Sequence, residues 1–149
     1  MTEISFYNLL HTPLDCAIAE LIEKILGGGY RALVLVGSEE RAEILCNVLW
    51  TYDATSFLPH GTACDANPEM QPVWITSDDE NHNLADILIL TDGATADEPM
   101  KYNRCLDVFD GQNEAAAAAA RLRWSAYKAH GHALTYWQQK KRGGWERQV

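Results

Sequence analysis

Three kinds of residue in this 149-residue chain have side chains able to do chemistry. His60 and Cys64 lie in one loop-like stretch and His11 near the end of a strand-like run, the residue types of a thiol hydrolase. That chemistry also needs a third group to orient the histidine and a pair of oxyanion donors, and the sequence supplies neither. His60, directly after Pro59, reads more simply as a turn residue. The carboxylates are numerous but scattered, so no acid–base pair stands out. The four cysteines (Cys16, Cys46, Cys64, Cys105) contain no C-x-x-C pair, and zinc needs ligands at close spacings. Cys16 and Cys46 fall on the apolar side of helical patterns, where a thiol is expected to behave as a small buried hydrophobe. No metal and no cofactor is assigned.

The glycine-containing turns point away from phosphate binding. Val36-Gly37-Ser38-Glu39-Glu40 joins a strand to a helix, as a phosphate turn does, but carries neither G-x-G-x-x-G nor G-x-x-x-x-G-K-[ST]. Its two glutamates would also repel an anion at the helix start. Gly27-Gly28-Gly29 follows a helix and precedes a strand, the wrong order for such a site. A different chemistry is written at Arg121, Trp124 and Lys128, spaced i, i+3 and i+7, which places all three on one side of a helix. Two cations flanking an aromatic ring suit a ligand that combines a carboxylate with an apolar ring; the same spacing also fits plain aromatic packing with the basic stems laid along it.

The elements that must position these residues form an α/β pattern. Residues 4–9 read as a strand, and Pro13 opens a helix with Ile18, Leu21, Ile22, Ile25 and Leu26 on one apolar stripe, ended by the three glycines. Residues 31–37 form the continuous apolar run of a parallel strand covered on both faces. Ser38 caps a second helix whose apolar face is expected at Ile44, Leu45, Val48 and Leu49. Residues 56–58, 73–76, 86–91 and 106–110 read as further strands, with 61–71 and 77–83 as loops. Asn113 starts a last helix that runs to about His130 and stops at Gly131. On a helical wheel its small face (Ala115, Ala118, Leu122, Ala126, Ala129) is expected to pack on the sheet. The fold class is therefore α/β: a single three-layer domain with a mostly parallel central sheet, nucleotide-binding-like but without a nucleotide site.

Composition and charge narrow the function classes. With 47% hydrophobic residues the chain is globular, and no apolar run approaches the ~18–20 residues of a membrane span. Met1-Thr2-Glu3-Ile4 lacks the basic and apolar regions of a signal peptide, so the cytoplasm is the expected location. The formal charge of −9 is unevenly spread. Residues 1–120 carry five basic and twenty acidic side chains, and residues 121–149 carry seven basic ones against Glu146 alone. An acidic body with a basic end argues against wholesale binding to a phosphate backbone and for a protein partner.

Several segments together resemble one known family. Ser5-Phe6-Tyr7, Leu49-Trp50, Ser56-Phe57-Leu58-Pro59-His60, Asp86-Ile87-Leu88-Ile89, Arg121-x-Arg123-Trp124 and Ala126-Tyr127-Lys128-Ala129-x-Gly131 occur in an order similar to the chi subunit of bacterial DNA polymerase III. The resemblance runs from Ile4 to about Trp137. It implies an adaptor of the clamp-loader complex with no catalytic site, which holds the acidic C-terminal tail of single-stranded-DNA-binding protein. The second implied partner is the small subunit psi, which links chi to the clamp loader; DNA is met only indirectly. On this resemblance Arg121 and Lys128 pair the tail's carboxylates, Trp124 and Tyr127 line an apolar slot, and Thr135 or Tyr136 closes it. Trp50, Phe57 and Leu58 match the surface that docks on psi. Some members have a basic residue where this chain has Ala117, and a tyrosine at Trp124. Residues 1–137 are expected as the chi-like domain and 138–149 as a basic tail. The alternative from another class is a small α/β enzyme or nucleotide-binding protein, which a thermal shift with ATP, GTP or NAD would reveal.

Overall fold

A computed structural model describes residues 3–10, 14–51, 61–62, 73–77, 85–91, 102–141 and 145–147. Along the chain run β1 (Glu3–Leu9), α1 (Leu14–Gly27), β2 (Ala32–Leu35), α2 (Glu39–Thr51), β3 (Gly61–Thr62), β4 (Val73–Thr76) and β5 (Ile87–Leu90). Then follow β6 (Arg104–Asp110), α3 (Glu114–Ala129), β7 (Ala133–Gln139) and β8 (Trp145–Arg147). The described strands make one sheet in the order β3-β4-β2-β5-β6-β1-β7-β8. Every pairing is parallel except β7 with β8. The fold class expected from the sequence is the one observed, with α1 and α2 on one sheet face and α3 on the other.

The hydrophobic pattern explains the layering. The four residues of β2 (Ala-Leu-Val-Leu) are all buried, as are those of β4 and β5 beside it. Such strands need cover on both faces. Ala32 and Val34 look toward α1, and Leu33 and Leu35 toward the α3 side. Leu33 and Leu88 are fully buried, each contributing about 1.5–3 kcal/mol from the area withdrawn from water. α1 ends where the sequence says: Gly29 takes a left-handed φ of 82°, and Tyr30 N donates to Ile25 O at 3.1 Å. Ser38 Oγ caps α2 by accepting from Arg41 N at 3.2 Å.

Five expectations change. Residues 61–62 are a short strand on β4, not a loop. Ile44 is exposed, while Leu45 is buried as expected and Ala42 joins it. Cys16 is exposed on α1, whereas Cys105 is buried in β6. On α3 the small-residue face lies outward: Ala115, Ala118, Ala126 and Ala129 are exposed, and Leu122 is 74% exposed. The sheet receives Ala120, Trp124 and Tyr127 instead, because two aromatics bring far more apolar area to bury than a row of alanines. The last difference is β7 and β8, which carry no strand signal in the sequence beyond isolated aromatics. β8 lies within the basic segment 138–149, and its Trp145 meets Tyr7 edge to face at 4.9 Å. The strand expected at 56–58 lies outside the described residues.

Candidate functional site

β1 connects through α1 toward β2, while β6 connects through α3 past β1 to β7. The two crossovers leave in opposite directions, so the crevice at the carboxyl ends of β1 and β6 is where such sheets present ligand sites. In a nucleotide-binding protein a phosphate would sit on the helix that follows. Here that end of α3 holds its own cap: Asn113 Oδ1 accepts from Ala116 N at 3.1 Å. Asp110 adds a negative charge in the turn, its Oδ1 accepting from Gln112 N at 3.0 Å. This is a poor cradle for an anion.

A groove lies next to that crevice, between α3 and the ends of β1 and β7. It encloses about 520 Å³ and is lined by Asn8, Phe109, Gly111, Ala117, Ala120, Arg121, Trp124, Tyr136 and Gln138. Strand alternation explains the set. Asn8 shares a sheet face with Ile4 and Phe6, Phe109 with Cys105, and Tyr136 with Leu134. From α3, Ala117 and Arg121 are spaced i, i+4, as are Ala120 and Trp124. The aromatic wall is rigid. Trp124 stands edge-on to Phe6 at 5.3 Å and to Tyr136 at 5.9 Å, and Tyr136 tilts against Phe109 at 6.3 Å.

The expected site residues divide. Arg121, Trp124 and Tyr136 meet in the groove. Lys128 is exposed two turns beyond Arg121 on the same side of α3 and does not line it. Tyr127 points into the core, edge-on to Phe6 at 6.0 Å. Burial, with the nearby Asp107 charge, pushes its hydroxyl up to about 12. Thr135 belongs to the opposite sheet face, where its Oγ1 donates to Ser5 Oγ at 2.7 Å, so it does not close the groove. Trp50 lies in the last turn of α2, and Phe57 and Leu58 lie outside the described residues, as do His11, His60 and Cys64. Asn8, Phe109, Gly111 and Gln138 escaped the sequence reading. A period-two count through β1 and β6 would have found the first two; β7 was not read as a strand.

Between α3 and β6 sits a buried ion pair. Arg123 Nε donates to Asp107 Oδ2 at 2.7 Å and its Nη2 to Oδ1 at 2.9 Å, with side-chain exposures of 11% and 2%. Burial raises the Asp107 carboxyl above its ordinary range even though Arg123 pulls it down. Burial also pushes the Cys105 thiol up to about 12, with Asp107 adding to it. Such a thiol stays protonated and unreactive at neutral pH. Among the described residues no group of three or more His, Cys, Asp and Glu side chains is placed to hold a metal ion.

Fold and groove define a mostly parallel α/β domain with an aromatic-walled groove beside Arg121. The chain belongs to the DNA polymerase III chi subunit family: the family model described as "DNA polymerase III chi subunit, HolC" matches residues 1–135. A curated relative named "Probable DNA polymerase III subunit chi", from Rickettsia prowazekii (strain Madrid E), is 29% identical over 109 residues. The match covers 73% of this chain and spans 66% of that protein's length.

Proposed function

We propose that this protein is a non-catalytic adaptor for DNA replication within the polymerase III clamp-loader complex. In this reading it binds the acidic C-terminal tail of single-stranded-DNA-binding protein and links it, through psi, to the clamp loader. The observation that carries the reading is the groove itself. Arg121 stands beside an aromatic wall of Phe109, Trp124 and Tyr136, which suits a peptide ending in aspartates and a terminal phenylalanine with its free carboxylate. Lys128, exposed further along α3, meets the acidic residues upstream. Trp50, Phe57 and Leu58 are the proposed contacts for psi. DNA is reached only through the partner, and the cytoplasm is the proposed location. No helix among the described residues is long and apolar enough to cross a membrane.

Fluorescence anisotropy with a labelled Asp-Asp-Asp-Ile-Pro-Phe peptide tests this. Binding is expected near micromolar, about −8 kcal/mol, weakening with salt and lost when the terminal carboxylate is amidated. Arg121→Ala is expected to weaken binding about 5- to 10-fold, the scale of one charge-assisted contact in a solvent-exposed setting. Unchanged affinity in that variant would refute the site.

A further inference from the structure

We propose that Asn8 is a positioning residue of this groove, holding the Tyr136 hydroxyl so that its proton is presented to an oxygen acceptor of the bound peptide. The inference rests on the peptide-binding reading above and adds the hydrogen-bond donor that reads the ligand. Asn8 Nδ2 donates to the Tyr136 hydroxyl oxygen at 2.9 Å. A phenol oxygen that accepts this bond still has one hydrogen to give. Among the described residues nothing takes it, and both side chains line the groove. The ring itself is fixed by Trp124 and Phe109, so the hydroxyl has a defined place.

Asn8 is held as firmly as the tyrosine it touches. Its backbone lies in β1 between two parallel neighbours, in register with Phe109 on one side and Gln138 on the other. Its side chain is wedged over Gly111, where an added Cβ would lie 1.6 Å from Asn8 Oδ1 and 2.7 Å from its Cγ. A larger residue at 111 would have to displace the Asn8 amide. The Asn8 Oδ1 atom is buried without a hydrogen-bond partner among the described residues. An aliphatic side chain on this strand would avoid that unpaired carbonyl, so packing alone gives no reason for an amide here. What the amide supplies is the donor that directs Tyr136. Together Tyr136 and Arg121 then offer an uncharged and a charged donor across an apolar groove, the pattern that selects a peptide oxygen lying beside an aromatic ring.

A double-mutant cycle on affinity for the same hexapeptide tests the coupling, with circular dichroism confirming that each variant is folded. Tyr136→Phe is expected to weaken binding about fivefold, the value of one neutral hydrogen bond. Asn8→Ala is expected to weaken it by a similar factor, and the double variant to bind no worse than Tyr136→Phe alone. Asn8→Asp keeps the shape over Gly111 but accepts the Tyr136 proton, so it is expected to bind at least as weakly as Tyr136→Phe. It serves in place of Asn8→Ala if that variant is unfolded. Multiplying effects, or an Asn8 variant within twofold of wild type, would overturn the proposal. Absence of wild-type binding would instead overturn the peptide-binding reading on which it rests.

Discussion

Cys105 and Tyr127 lie between the sheet and α3 with their protons held tightly, and this makes the protein's response to alkali readable at single residues. Burial raises the thiol from 9.0 to about 12 and the phenol from 10.0 to about 12. A group whose folded pKa lies above its unfolded one contributes stability that is complete below the unfolded value and is lost as pH rises through the folded one. Urea midpoints are therefore expected to fall between pH 9 and about pH 12. In Cys105→Ala the midpoint at pH 8 is lower, because a buried side chain is lost, but its decline above pH 9 is shallower. Equal slopes for the two proteins would contradict this account. Residue-scale chemistry was only partly legible beforehand. Arg121 and Trp124 announced themselves by type and spacing. Asn8 and Gly111 did not, because their roles depend on strands brought together from distant parts of the chain. Thr135 and Tyr136 were equal candidates until the pleat of β7 sent them to opposite faces.

At the scale of elements, α3 shows why a wheel drawn from composition misled. Its alanines have little to bury, and the orientation is set by Trp124, Tyr127 and the Arg123–Asp107 pair instead. That pair locks the helix to β6 at a cost in desolvation. Removing either partner leaves a buried charge, so Asp107→Ala or Arg123→Ala is expected to destabilise by about 3–5 kcal/mol in chemical denaturation. Replacing both with leucine is expected to cost much less than the two single changes together. A double variant as unstable as that sum would show the pair to be a net source of stability. Capped helices and fully apolar strands were legible because their signals are local, as Ser38, Asn113 and β2 show. β3 was too short, and β7 too weakly patterned, to declare themselves without their neighbours.

Charge belongs to the whole molecule. Residues 1–120 carry twenty acidic side chains against five basic ones, so a long polyanion meets repulsion from the body of the chain that a short peptide seated beside Arg121 escapes. A labelled oligothymidylate is expected to bind at least about tenfold more weakly than the hexapeptide at 100 mM salt, with both weakening as salt rises. Tighter binding of the oligonucleotide would assign the basic end to nucleic acid. The sheet order has a consequence of another kind. Asn8 and Tyr136, which touch on the sheet side of the groove, are separated by 128 positions in the chain. A ribosome must pass β7 before its product has both walls of the groove, and until then β1 has β6 as its only strand neighbour of the two it will finally have. Translation products that end before β7 therefore carry most of the fold's residues yet no complete groove.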